Sequence, residues 1–285
     1  MTTRLRLREA ALQAALPGTP YDTWTDPDGK AIARFHREPG GFLLRFVDQV
    51  DFRLEMASGE VVAIPTPHVP RHTVERLFAN AVGPLLANHA GRLTLHGSAV
   101  ALREGAVAFI GASRRGKTTL AAAFARQGHP FLSEDVLALR RGGGGYIALP
   151  ADPRLRLFGD SADTLADGED NARSEKFDIA ASDALPHCDR AMPLSHIFLL
   201  GPGDVAQTVI EPMSAAAALA ALLPHAFVLD CEDRERLEAH FTRMADLAEA
   251  VSCSAIDYPR DFASLPDVVT SIAAHVAERQ GSREQ

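Results

Sequence analysis

The chain has 285 residues, 46% hydrophobic and 23% charged. That balance excludes extended disorder and fibrous repeats, and at roughly 100–200 residues per domain the length allows one large domain or two modest ones. Its 29 basic and 37 acidic residues leave a formal charge of −8, which argues against a chain whose main task is gripping nucleic acid or an anionic membrane, though a local basic pocket is compatible with it.

Taken in chain order, the N-terminus alternates Arg4, Arg6 and Arg8 with leucines before an Ala-rich stretch expected to form a turn of helix. This is not the pattern of a secretory signal, and no run approaches the roughly 18 apolar residues of a membrane span, so a cytoplasmic protein is expected. Residues 29–66 alternate apolar and polar positions between glycine-containing turns (GKAIARFHRE, GGFLLRFVDQ, VDFRLEMASGE, EVVAIP), which predicts an antiparallel meander. After the prolines at 67 and 70, Val74, Leu77, Phe78, Val82, Leu85 and Leu86 recur at helical spacing with Gly91 as a stop. These elements predict a smaller β-rich α+β module over residues 1–88 and an α/β domain over 89–285.

In the second region, LTLHGSAVAL and AVAFIGA are apolar runs bracketing the turn Arg103-Glu104-Gly105, and a helix is predicted over 117–127. A short strand ending in Ser133 follows, then another over 136–139. Further strands are expected near 197–200 and 208–211, and helices over 214–223, 232–251 and from Leu265. Strand, Gly-rich loop, helix, strand is the order of a phosphate-binding α/β unit. Cys188, Cys231 and Cys253 lie far apart with no CxxC pair, so reduced thiols are expected rather than disulfides or a cysteine zinc site.

Residues 111–118, GASRRGKT, satisfy GxxxxGK[ST], follow the strand AVAFI and open the helix KTTLAAAFARQG. With 21 glycines and three lysines (Lys30, Lys117, Lys176) in 285 residues, chance produces this pattern roughly 0.002 times per chain. Consecutive backbone N–H groups at a helix N-terminus make a concave anion site, in which Lys117 can reach terminal phosphates and Thr118 can ligate magnesium. The nucleotide-contacting set is thus Gly111, Ala112, Ser113, Arg114, Arg115, Gly116, Lys117 and Thr118, with Thr119 following. Arg114 and Arg115 stand where small residues are common, which makes the loop less permissive in φ, and both could touch phosphate. Downstream, Glu134 and Asp135 end an apolar strand, where carboxylates can hold Mg²⁺ or accept a proton; a solvated acidic turn has the same sequence. His96 precedes the loop by 15 residues, and by itself a histidine beside Gly97 is more often structural than catalytic.

LHGSAVAL, GASRRGKTTLAAAF and GHPFLSEDVLAL together resemble the catalytic core of the HPr serine kinase/phosphatase C-terminal domain, and more closely the HPr-kinase-related proteins found beside peptide-modification genes. The likeness is specific over about residues 93–140. It implies a P-loop, HPr-kinase-like fold, and it gives His96, Lys117, Thr118, Glu134 and Asp135 the family's roles: one acid as base toward a serine hydroxyl, aided by the histidine, and the other on magnesium. The expected assignment is Glu134 as base and Asp135, with Thr118, on Mg²⁺. The first acid in the family is commonly Asp, so Glu134 departs from it by one methylene. The family's glycine-rich second signature has no counterpart here, so phosphatase activity and HPr as substrate are not expected. PADPRLRLFGDSADTL and SEKFDI also resemble the related proteins, where Arg154, Arg156 and Lys176 could meet substrate or γ-phosphate, or could be exposed surface charges.

The reading that follows is an ATP- and Mg²⁺-dependent kinase transferring the γ-phosphate to a serine hydroxyl of a peptide or small protein, with the N-terminal module bearing on the acceptor and self-association left open. The alternative is a nucleotide-dependent binding or chaperone component of a peptide-maturation assembly. A transporter-type ATPase is disfavoured, since no LSGGQ-like signature is present. Residues 163–174 lack the ligands of an EF-hand, Gly159-Asp160-Ser161 is no hydrolase elbow, and His187-Cys188 has no identifiable metal partners.

Overall fold

The computed structural model of the chain describes residues 3–26, 28–158, 161, 164–165 and 176–281. Of the acidic stretch 163–174 only Thr164 and Leu165 belong to these, Gly159 and Asp160 fall outside them, and the Lys176 side chain is likewise not described. The chain divides into two compact units. One runs to Ala90 and takes in Leu229–Glu232; the other comprises Gly91–Val228 and the residues from Asp233 onward.

In the first unit, β1 (Arg4–Leu7), β2 (Asp22–Thr25), β3 (Ala31–Glu38), β4 (Gly41–Phe46), β5 (Val50–Glu55) and β6 (Glu60–Pro65) form a sheet in the order β1-β6-β5-β4-β3-β2. Strands β2 to β6 are an antiparallel meander, as the period-2 alternation requires, and β1 joins parallel to β6 with Arg4 opposite Glu60. The Ala-rich stretch after Arg8 does not form the expected turn of helix. Arg8 and Ala11 continue along β6, donating to Ala63 and Pro65 at 2.9 Å, while the Ala14 carbonyl accepts from Arg45 Nη1 at 2.7 Å. A sheet edge offers these partners at once, whereas an isolated helical turn must bear the cost of nucleation.

The apolar spacing of residues 71–89 yields α1 (Arg71–Leu77), a π-helical turn (Phe78–Val82) and α2 (Gly83–His89), burying Val74, Val82, Leu85 and Leu86. Gly83 separates the wide turn from Pro84, which has no N–H to return to the preceding turn. The segment Leu229–Glu232 is tied into this unit by Asp230. Its buried carboxylate accepts from both terminal nitrogens of Arg37 at 2.7 and 2.6 Å.

The second unit carries an eight-stranded sheet ordered β11-β10-β7-β8-β14-β16-β15, with β9 on β7. Its strands are β7 (Leu93–Leu102), β8 (Gly105–Ile110), β9 (Phe131–Ser133), β10 (Val136–Gly142), β11 (Gly145–Ala148), β14 (Met192–Leu200), β15 (Val209–Pro212) and β16 (Ser252–Asp257); β12 (Arg154–Phe158) and β13 (Lys176–Ala180) pair separately as a two-stranded antiparallel sheet. β8, β14 and β16 run parallel, and β11 also pairs with β14, which closes β11, β10, β7, β8 and β14 into a ring.

Helices α3 (Lys117–Arg126) and α6 (Leu265–Gly281) pack on one face, where Leu120, Phe124, Val268 and Ile272 meet Phe109 and Phe198. On the other, α4 (Ala215–Leu222) and α5 (Arg234–Ala250) bring Leu222, Met244 and Leu247 against Leu95, Ile110 and Leu137. Because β8 is covered on both sides, all six of its residues are buried, and it reads in sequence as an unbroken apolar run. Among the described residues, no helix is long and apolar enough to cross a membrane.

Candidate functional site

β8 is followed by Gly111, where a side chain would stand 3.2 Å from Leu200 Cβ on the neighbouring strand. The chain then loops to α3 through two left-handed residues, Arg114 with φ 63° and Gly116 with φ 82°. Glycine adopts this region freely, but an arginine there carries a conformational cost of roughly 1–2 kcal/mol, held by the closed turn in which Arg115 N–H donates to the Ala112 carbonyl at 3.3 Å. Beyond Gly116 the first N–H groups of α3 have no partner within the helix and face outward with the positive end of its dipole.

Lys117 is 7% exposed, and its ammonium donates to the carbonyls of Gly111 (2.8 Å) and Ala112 (3.0 Å). The side chain therefore folds back across the loop and spans it. Thr118 donates its hydroxyl to Glu134 Oε1 at 2.9 Å, and the Thr119 and Ser161 hydroxyls lie 3.2 Å apart.

Glu134 and Asp135 occupy the break between β9 and β10, both of which pair with β7: Ser133 lies opposite Ala99, and Val136 opposite His96. Asp135 is left-handed at φ 60°, and the turn is pinned by its carbonyl, which accepts from Gly97 N–H (3.3 Å) and contacts His96 Nδ1 (2.9 Å). A carbonyl can only accept, so Nδ1 carries the proton in this contact. His96 thus holds the backbone of Asp135, and this contact does not reach the carboxylate. Arg156, on β12, stands 3.7 Å from Asp135 Oδ2 and 3.2 Å from Asp178.

A cleft of about 480 Å³ opens over the loop, within the range of small-molecule sites. Of the expected residues His96, Ser113, Arg114, Gly116, Lys117, Thr118, Thr119 and Asp135 line it, whereas Gly111, Ala112, Arg115 and Glu134 do not. Arg156 lines it too, while Arg154 points to an exposed pairing with Asp152 at 3.6 Å.

Two features escaped the sequence. Tyr258, Arg260, Asp261 and Phe262 form a second wall, and they follow β16, whose serines and cysteine give no apolar alternation. His225, in the 3₁₀ turn Leu223–His225 after α4, is half-buried; burial, then the charges of Lys117 and His96, push its imidazole down to about 4. A histidine ending an alanine-rich helix carries no local signal of this proximity.

No family model and no curated protein matches the chain. Among solved structures it is similar to the HPr(Ser) kinase/phosphatase from Coxiella burnetii, at 12% identity over 67% of this chain and 94% of that one, with a TM-score of 0.38. A likeness this slight decides nothing about activity.

Proposed function

We propose that the chain is an ATP-dependent phosphotransferase that uses Mg²⁺ and acts on a hydroxyl, serine first, of a peptide or small protein. One observation carries the reading: the hydroxyl that opens α3 is hydrogen-bonded to the first member of an acidic pair whose second member lines the same cleft as Lys117 and His96. In this reading the loop N–H groups and Lys117 hold the phosphates. Lys117 exchanges its present carbonyl partners for phosphate oxygens, a change that costs little because the ammonium can turn about its flexible stem.

The donors suit magnesium. Among the described residues no three His, Cys, Asp or Glu side chains cluster around a point, but Thr118 and Glu134 offer hard oxygens 2.9 Å apart, the sparse protein set that Mg²⁺ completes with phosphates and water. When bound, the ion would neutralise charge on the transferring group.

The contacts favour a division of the acidic pair opposite to the sequence expectation. In this reading Glu134, engaged with Thr118 and 8% exposed, would serve the metal. Asp135, which lines the cleft, would accept the proton of the acceptor hydroxyl. His96 acts as a positioning residue through the Asp135 carbonyl. The first unit is assigned a part in acceptor choice, since none of these residues belongs to it.

Incubation of the full chain with γ-labelled ATP, Mg²⁺ and serine-bearing peptides, followed by mass spectrometry of the labelled products, tests the proposal. Label on a peptide hydroxyl supports it. Nucleotide binding without transfer to any acceptor would favour the nucleotide-dependent binding component.

A further inference from the structure

The second wall of the cleft is built with more constraints than packing requires. Tyr258 is 1% exposed, and its hydroxyl lies so close to the loop that a side chain at Gly116 would come within 3.0 Å of it. The guanidinium of Arg260 lies 3.7 Å over the Tyr258 ring centre. Its edge is engaged as well, donating to the Gly201 carbonyl at 2.7 Å and standing 3.6 Å from Asp257. Asp257 in turn is fixed by the N–H groups of Gly203 (2.7 Å) and Tyr258 (3.0 Å). Gly203 is left-handed at φ 96°, and a Cβ there would fall 2.3 Å from Arg260 Cγ, so only glycine leaves room for the arginine.

The result is a flat cation held in one plane, with one face on an aromatic ring and part of its surface in the cleft. A planar guanidinium backed in this way is a stacking platform for a second ring. Beside it, Asp261 caps the turn into α6 by accepting Ser264 N–H at 2.8 Å through Oδ1, and the residue lines the cleft with Phe262 and Leu265. The two walls differ in chemistry. One offers amides, hydroxyls and Lys117, the other a flat cation, apolar surface and a carboxylate.

We infer that this second wall is a nucleoside site: Arg260, backed by Tyr258, stacks on the base, and Asp261 accepts hydrogen bonds from the ribose hydroxyls. The inference rests on the proposed phosphate site and adds which end of the nucleotide lies where. Stacking on the plane of the base is worth about five- to a hundredfold in affinity.

Calorimetry of the full chain with Mg²⁺, comparing ATP, 2′,3′-dideoxy-ATP and inorganic tripolyphosphate, tests it. Wild type should prefer ATP over tripolyphosphate by at least about fivefold. Arg260→Lys, which keeps the charge but not the plane, should erase that preference and leave tripolyphosphate binding unchanged; Arg260→Ala should erase it as well, and the missing charge should weaken both ligands alike. Asp261→Asn retains a capping side chain and should erase the preference for ATP over the dideoxy analogue, an independent reading should the Arg260 variants fail to fold. ATP and tripolyphosphate binding wild type equally, or a preference for ATP kept in Arg260→Lys, would overturn the nucleoside site while leaving the phosphate site standing. Failure of wild type to bind either ligand would remove the phosphate site, and the nucleoside site with it.

Discussion

Thr118 and Glu134, 16 residues apart in sequence, are joined by a hydrogen bond of 2.9 Å. The bond spans the start of α3 and the end of β9, two elements brought side by side because β8 and β9 both pair with β7. It leaves Asp135, the other carboxylate of the pair, facing the cleft, and the predicted consequences differ for the two acids.

Asp135→Asn should leave Mg-nucleotide affinity nearly intact and lower phosphoryl transfer by roughly 10²- to 10⁴-fold, the usual worth of a general base. Asparagine tolerates the left-handed backbone at this position, so the fold is kept. Glu134→Gln should weaken nucleotide binding in Mg²⁺ and flatten its dependence on Mg²⁺ concentration. Titration calorimetry with and without Mg²⁺, beside single-turnover transfer rates, separates the two. The reverse pattern would restore Glu134 as the base.

Lys117→Ala should reduce ATP affinity by about ten- to a hundredfold, the range for hydrogen bonds to a charged group. In wild type, ATP at 100 times its dissociation constant should raise stability by about 2.7 kcal/mol, and at the same concentration the variant's gain should shrink to about 0.4–1.4 kcal/mol. An undiminished shift would show that ATP binds elsewhere.

Arg114→Gly should separate stability from binding. It removes the left-handed cost of a non-glycine residue at φ 63°, partly offset by glycine's greater unfolded freedom, for a net gain of up to about 1 kcal/mol. It also removes a cation that lines the cleft, so ATP affinity should fall severalfold while the midpoint of chemical denaturation rises. Loss of both would mean that the arginine side chain, not its backbone, holds the loop in shape.

His225 gives a pH signature. Its imidazole is held down to about 4 against the ordinary 6.5, first by burial, then by Lys117 and His96. The unfolded chain therefore binds the extra proton between these values, and the folded chain does not. This contribution to stability is present above pH 6.5 and is lost as pH falls toward 4. Denaturation curves from pH 4 to 7 should show a shallower decline for His225→Asn than for wild type. An identical slope would mean that the imidazole is not shielded from solvent and from the Lys117 charge.

What the sequence determined by itself was local. The period-2 runs of residues 29–66 specified a meander, because alternation fixes which side chains a pleated strand buries. GASRRGKT between an apolar strand and an alanine-rich helix specified a strand–loop–helix turn, because that geometry depends on a few adjacent residues. The tertiary structure decided the rest. The Ala-rich segment after Arg8 took its hydrogen bonds from β6 instead of from a helix. β16, with serines at 252 and 254 and a cysteine at 253, became an inner strand because β14 and β15 supply its ladder on both sides. His225, Tyr258 and Arg260 reached the neighbourhood of Lys117 from more than 100 residues away. Even the different contacts of the two adjacent acids came from pairing register, since adjacent residues have the same sequence context. Only the break between β9 and β10 sends one carboxylate to Thr118 and the other to the cleft.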